Sequence, residues 1–296
     1  MSQPPLESTL HSSAIQSSRA RAALALIKRF LRHRSAMVGV TILLILIILA
    51  IAAPAIAPFD PLKQNLRQGL APPSAEHPLG TDEFGRDILS RILYGARISL
   101  RVGVMVVLLS GTIGVLLGMV VGYYEGRIDT IISRAVDILL AFPSLLLAIA
   151  VITILGPSLI NALFAIAIAQ VPRYARVTRG VTLSQKQRDY VDAARALGGS
   201  PPRIMFIHLL PNVIGPVVVL ASLGVATAIL TTASLSFLGL GAQPPEPEWG
   251  AMLSTGRSYM RQAWWITLFP GLAIMITVLA INLFGDGLRD VLDPKT

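Results

Sequence analysis

From Met37 to Ala57 the chain reads "MVGVTILLILIILAIAAPAIA", without a single charged side chain. At ~1.5 Å per residue a helix of that length crosses the ~30 Å hydrocarbon core of a bilayer. Lipid is therefore the solvent against which much of this chain has to fold. Composition agrees, since 53% of the 296 residues are hydrophobic and 14% are charged, against about 25% charged in ordinary soluble domains. The "APAIA" that closes the run is similar to a signal-peptidase site. The charged lead-in is too long and the apolar core too extended for one, so the helix is read as retained.

Comparable runs recur, and they predict an all-α polytopic membrane protein with six transmembrane helices, at about 37–57, 100–124, 132–155, 159–179, 213–235 and 266–284. Residues 1–20, polar and Ser-rich, read as a disordered tail. Residues 21–36 read as a basic amphipathic helix on the membrane surface, and 37–296 as the six-helix domain. Two hydrophilic loops interrupt it. The first, 59–99, turns helical from Asp87; the second, Pro-rich, ends at Trp264 and Trp265, an expected interfacial aromatic anchor. Within the second span Gly114, Gly118 and Gly122 are spaced four apart, so one helix face admits close backbone approach. Arg134 and Asp137, at i and i+3 near the start of the third span, are expected to neutralise each other.

An even number of spans puts both termini on one side. Assigning that side to the cytoplasm places roughly two thirds of the 25 basic residues there, the bias of the positive-inside rule. The net charge of +9 is thereby explained by topology, and no motif interleaves these bases for nucleic acid. Cysteine is absent, which removes disulfides, thiol nucleophiles and thiolate metal sites.

The hydrophilic segment 186–211, between the fourth and fifth spans, contains "RDYVDAARALGGSPPRIMFIHLLP". Tyr190, Ala193, Ala194 and Leu197 fall on one helical face, with Arg188, Asp192 and Arg195 opposite, where Asp192 can pair with either arginine. Gly198 and Gly199 end that helix, because glycine takes the left-handed cap without steric cost. Ser200 and Pro201 start another, as N-cap and first-turn residues, and Pro211 marks entry to the next span. The expected shape is short helix, sharp corner, second short helix. Its apolar face is too small to anchor well in lipid, and the shape alone fits a docking site for a protein partner and a passive loop equally.

"DAARALG" at 192–198 followed by "HLLP" at 208–211 resembles the EAA signature of permease subunits in binding-protein-dependent ABC importers: Glu-Ala-Ala, three residues, Gly, nine residues, Ile-x-Leu-Pro. Asp192 stands for the usual Glu; Ala193, Ala194, Gly198, Leu210 and Pro211 match, and His208 replaces the Ile. "HPLGTDEFGRDILSRILYGARISL", "DILLAFPSLLLA", "SLSFLGLGAQPPEPEWGAML" and "INLFGDGLRDVLDP" are similar, in the same order, to the C-type permease of dipeptide, oligopeptide and nickel importers. The resemblance runs from about Lys28 to Lys295. It implies an ABC importer type I permease fold in the bacterial inner membrane, with both termini cytoplasmic. It also implies a translocation pathway for di- or oligopeptides or related solutes, shared with a homologous B-type permease. The further partners implied are one or two ABC ATPase subunits, an extracytoplasmic substrate-binding protein and membrane lipid. ATP and Mg would be bound by the ATPase subunits, with no cofactor in this chain. By the same resemblance Tyr190, Asp192, Ala193, Ala194, Arg195, Leu197, Gly198, Gly199, Ser200, Pro201, Leu210 and Pro211 form the coupling region seated in the ATPase, Asp192 meeting a basic residue there.

The residues agree with that division of labour. No G-x-x-x-x-G-K-[ST] phosphate loop occurs, so energy must come from another polypeptide. An ion-coupled secondary transporter or channel would need acids buried in the spans, whereas Arg134, Asp137 and Asp286 lie near span ends. An intramembrane enzyme lacks its motifs, H-E-x-x-H and G-x-S-x-G, and His11, His33, His77 and His208 lie outside the spans. No residue is assigned a catalytic or metal-binding role, and none identifies the solute.

Overall fold

The structure is a computed structural model that describes residues 29–292. The tail 1–20 and residues 21–28 of the amphipathic helix lie outside the described residues; 29–32 are helical. Nine α-helices follow: α1 Arg34–Ile56, α2 Ile88–Tyr124, α3 Gly126–Ala141, α4 Ser144–Leu155, α5 Leu159–Lys186, α6 Asp189–Ala196, α7 Pro201–Phe237, α8 Trp249–Gly256 and α9 Trp265–Leu292. Among the described residues there is no strand, only an isolated bridge between Thr81 and Asp87.

Helices α1, α2, α7 and α9 are long and apolar enough to cross a membrane, and α3 with α4 makes a fifth crossing if the bent pair is one span. The expected third span, 132–155, is not continuous. Its two helices meet at 96° around Phe142 and Pro143. A proline lacks the N–H that a helix needs and pushes the preceding residue into extended backbone; Phe142 accordingly has ψ 137°. The expected fourth span is a long helix, α5, but Gln170, Pro172, Arg173 and Arg176 leave it too short an apolar stretch to pass as a membrane crossing by composition.

Helix α2 is central. It packs along α5 and α7, and α1 and α9 close the other side. Small residues set the contacts, as expected where packing rather than water exclusion drives helix association. A Cβ on Gly118 would lie 2.5 Å from the Ala175 carbonyl, and one on Gly122 2.8 Å from Thr182 Cβ; Gly114 abuts Tyr174 in the same way. All three face α5. On the opposite side of the bundle, a Cβ on Gly39 of α1 would lie 2.7 Å from the Ala280 carbonyl of α9. The bundle has two dressed ends. One carries α6 and the ends of α2 and α5; the other carries the loop 57–87 and α8.

Candidate functional site

Segment 186–211 leaves the bundle on firm supports. The Lys186 ammonium, at the end of α5, donates to the Tyr123 carbonyl at 2.6 Å and to Glu125 Oε1 at 2.7 Å, which fixes the exit against the end of α2. Helix α6 then runs with Asp189 and Asp192 in its first turn and Arg195 in its last, the arrangement a helix dipole favours. Its inward face is not the one expected. Val191 is fully buried and Ala194 nearly so, packed with Ile204, Met205 and Leu209, whereas Tyr190 is half-exposed, Ala193 exposed and Leu197 89% exposed. The reason is tertiary: Ile204, Met205 and Leu209 come to meet Val191, whose burial contributes about 1.5–3 kcal/mol. Leu197 is left projecting from the tip. Tyr190 instead donates to Gln185 Oε1 (3.1 Å) and accepts from Asn212 Nδ2 (3.3 Å), tying α6 to α5 and α7. Asp192 pairs with Arg195 at 3.0 Å rather than with Arg188.

The corner is a Schellman motif. Gly198 takes φ +78°, its N–H donates to the Arg195 carbonyl (2.9 Å), and the Gly199 N–H reaches the Ala194 carbonyl (3.0 Å). Gly199 is held by contact rather than torsion, since a Cβ there would lie 2.7 Å from that same carbonyl. Ser200 occupies the next N-cap, but its side chain makes no capping bond; its carbonyl opens the helix by accepting from Ile204 N–H at 3.0 Å. The second short helix does not stop. Pro201 begins α7, which passes through a π-helical turn over Ile204–Leu209 and continues as the membrane helix. Pro211 is thus inside α7, not at its start. Its missing donor and ring displace the preceding turn, and the Leu210 N–H bonds the Met205 carbonyl five residues back.

Two ion pairs fasten α3 to α5. Asp129 accepts from Arg179 Nε at 2.6 Å and Nη2 at 2.7 Å, and from Ser133 Oγ at 2.7 Å. Asp137 pairs with Arg176, not with its sequence neighbour Arg134. Neighbours at i, i+3 were available, but the bend at Pro143 lays α3 against α5 and offers a partner from another helix.

At the opposite end the structure buries a charged cluster that periodicity does not reveal. Asp82 accepts from Arg86 Nε at 2.6 Å and from the N–H groups of Phe84 and Arg86, with Arg91 at 3.5 Å. Asp87 caps α2 through Ser90 N–H (2.7 Å) while bonding His77 Nδ1 (2.9 Å). Burial raises the Glu83 carboxyl above its ordinary range, against the opposing pull of its own backbone N–H and Arg86. Glu248 caps α8 and is raised by the same cause. Trp265 is no interfacial anchor: buried, it donates to the Thr81 carbonyl at 3.1 Å, while Trp264 remains exposed. The density of charge and glycine in "GTDEFGRD" is the sequence sign of this knot. Among the described residues no cluster of acidic or histidine side chains is suited to hold a metal.

Comparisons place this geometry among known proteins. Residues 114–296 match the family described as binding-protein-dependent transport system inner membrane component, and 24–73 the N-terminal TM domain of oligopeptide transport permease C. Over 272 residues the chain is 50% identical to the dipeptide transport system permease protein DppC of Haemophilus influenzae, covering 90% of this chain and 92% of the relative. It is 52% identical to the DppC of Escherichia coli K12, covering 90% and 91%. It is 48% identical to the di/tripeptide transport system permease protein DppC of Pseudomonas aeruginosa, covering 90% of each. Among solved structures, the inward-facing MetNI methionine ABC transporter aligns with a TM-score of 0.56 at 20% identity, over 69% of this chain and 97% of that one. That last likeness is one of fold.

Proposed function

The chain belongs to the family of binding-protein-dependent transport system inner membrane components, and on that premise we propose that it carries di- or tripeptides inward, driven through α6. As a member it is a non-catalytic, multi-pass permease subunit of an ABC importer, working with a second permease and with ATPase subunits. The peptide class rests on the three relatives above, all of them named for dipeptide or di/tripeptide transport. An extracytoplasmic binding protein would deliver the solute to the end dressed by the loop 57–87 and α8. ATP and Mg would sit on the ATPase subunits. Both termini, α6 and its corner would lie in the cytoplasm, the orientation that collects most of the basic residues.

One observation carries the coupling assignment. A short helix with a buried inner stripe, Val191 and Ala194, and an outer edge of Asp192, Ala193 and Leu197 is locked by a glycine corner to a helix that enters the membrane. A rigid protrusion passes on the displacement of a closing partner, whereas a loose loop would absorb it. Asp192 faces outward, its side chain 67% exposed, so it can exchange its pairing with Arg195 for a basic group of the ATPase. Asp192→Lys should therefore separate hydrolysis from uptake in the reconstituted complex: ATP turnover persists, but receptor-stimulated transport falls by about tenfold or more, the loss of one charge-assisted contact of ~1.5–3 kcal/mol. Transport and stimulated hydrolysis that both stay at wild-type levels would show the acidic edge to be merely solvated.

A further inference from the structure

Between α2, α3 and α5 lies a cavity of about 210 Å³ that the coupling mechanism does not use. Gly118 and Ala175 line one side, Ser133 and Asp137 another, and Arg176 and Arg179 its edge. Helix α3, which forms one wall, has no buried residue of its own. The level of the cavity is set by Gly118, six residues short of the Tyr124 end of α2, or about 9 Å along the helix. Charged side chains at that level, near the span ends, do not rest in hydrocarbon; they reach the aqueous boundary, line a wet path or meet another protein chain.

The two ion pairs at this cavity are unequal. Asp129 and Arg179 are bidentate, and Ser133 supports the carboxylate. Asp137 and Arg176 hold a single contact, with side chains 61% and 56% exposed. An exposed single-contact pair is worth little to folding, so a ligand that supplies both charges can replace it at small cost. The remaining lining, Val121, Ile132 and Val136 beside small residues, offers apolar contact but no polar group to discriminate side chains.

From this we infer that Asp137 and Arg176 form a transient subsite for the termini of a short zwitterionic peptide, the ammonium at Asp137 and the carboxylate at Arg176. The inference rests on the peptide-importer reading above. It would let one pathway carry peptides of many sequences, since only the two ends are read. The Asp129–Arg179 pair stays closed and keeps α3 in place.

The absence of cysteine makes a direct test possible. Ser133→Cys places a unique thiol of this chain in the cavity, and the complete complex in nanodiscs is labelled with a methanethiosulfonate reagent. Dialanine at about ten times its dissociation constant should slow labelling about tenfold, while N-acetyl-dialanine amide should not. Asp137→Asn or Arg176→Gln should abolish that protection in complexes that still assemble with wild-type subunit stoichiometry. No protection in a complex that transports normally, or protection unchanged in both variants, overturns the subsite alone. A wild-type complex that takes up no peptide at all overturns the importer reading, and the subsite with it.

Discussion

Residues whose environment opposes their chemistry are concentrated in the loop that precedes α2. Glu83 is the sharpest case: its side chain is 10% exposed, Oε2 has no hydrogen-bond partner, and Arg86 Nη2 approaches Oε1 only to 3.5 Å. Burial raises its carboxyl above the ordinary value, so the folded protein keeps a proton there that the unfolded chain releases. That contribution to stability is present at low pH and is lost as pH rises through the raised folded value. The thermal midpoint of the purified protein should accordingly decline from the ordinary carboxylate range towards neutrality, and Glu83→Gln, with no proton to give up, should flatten that decline. Parallel profiles for the two proteins would exclude Glu83 as the source. Only the crowding of charge and glycine in "GTDEFGRD" hinted at this in the sequence. Sequence periodicity reports which face is apolar, but not that a hydrophilic loop folds back to bury its own charges.

At the scale of elements the sequence was read well where chemistry is local and poorly where a distant helix decides. The Gly198–Gly199 corner follows from residue type alone, because φ +78° excludes most side chains. The cap at Asp87 and the start of α2 likewise need only neighbours. The inner face of α6, by contrast, depends on Ile204 and Leu209 coming to meet Val191, and the partners of Asp137 and Trp265 come from other elements. The corner yields the clearest variant. Proline at 198 removes the N–H that bonds Arg195 and cannot adopt positive φ. Gly198→Pro should abolish uptake and ATPase co-purification while the chain still inserts in the membrane; normal stoichiometry of ATPase in the purified complex would refute the corner's role. Gly198→Ala, costing about 1–2 kcal/mol, should weaken the same association less.

For the molecule as a whole the topology makes one firm demand: α6 and the loop after α8 must emerge on opposite faces of the membrane. Helix α7 starts beside α6 and ends at Phe237, and the chain from there passes through α8 to Trp265 before α9 returns. In intact cells a membrane-impermeant thiol reagent should label Ser258→Cys and spare Leu197→Cys, with the pattern reversed in inverted vesicles. Equal labelling of both from one side would dismantle the arrangement.

Helix α7 runs from Pro201 to Phe237 without a gap, 37 residues, or about 55 Å at 1.5 Å each. Near its far end Ala233 touches Gly250 of α8, whose N-cap is Glu248. The departures of α7 from regular geometry, the π-helical turn at Ile204–Leu209 and the prolines at 211 and 216, all lie in the half nearest α6, and the rest is an uninterrupted strut. If α6 is driven as proposed, its displacement reaches α8 through one continuous helix rather than through a diffusive search among loop conformers, so both faces of the protein would keep a common clock.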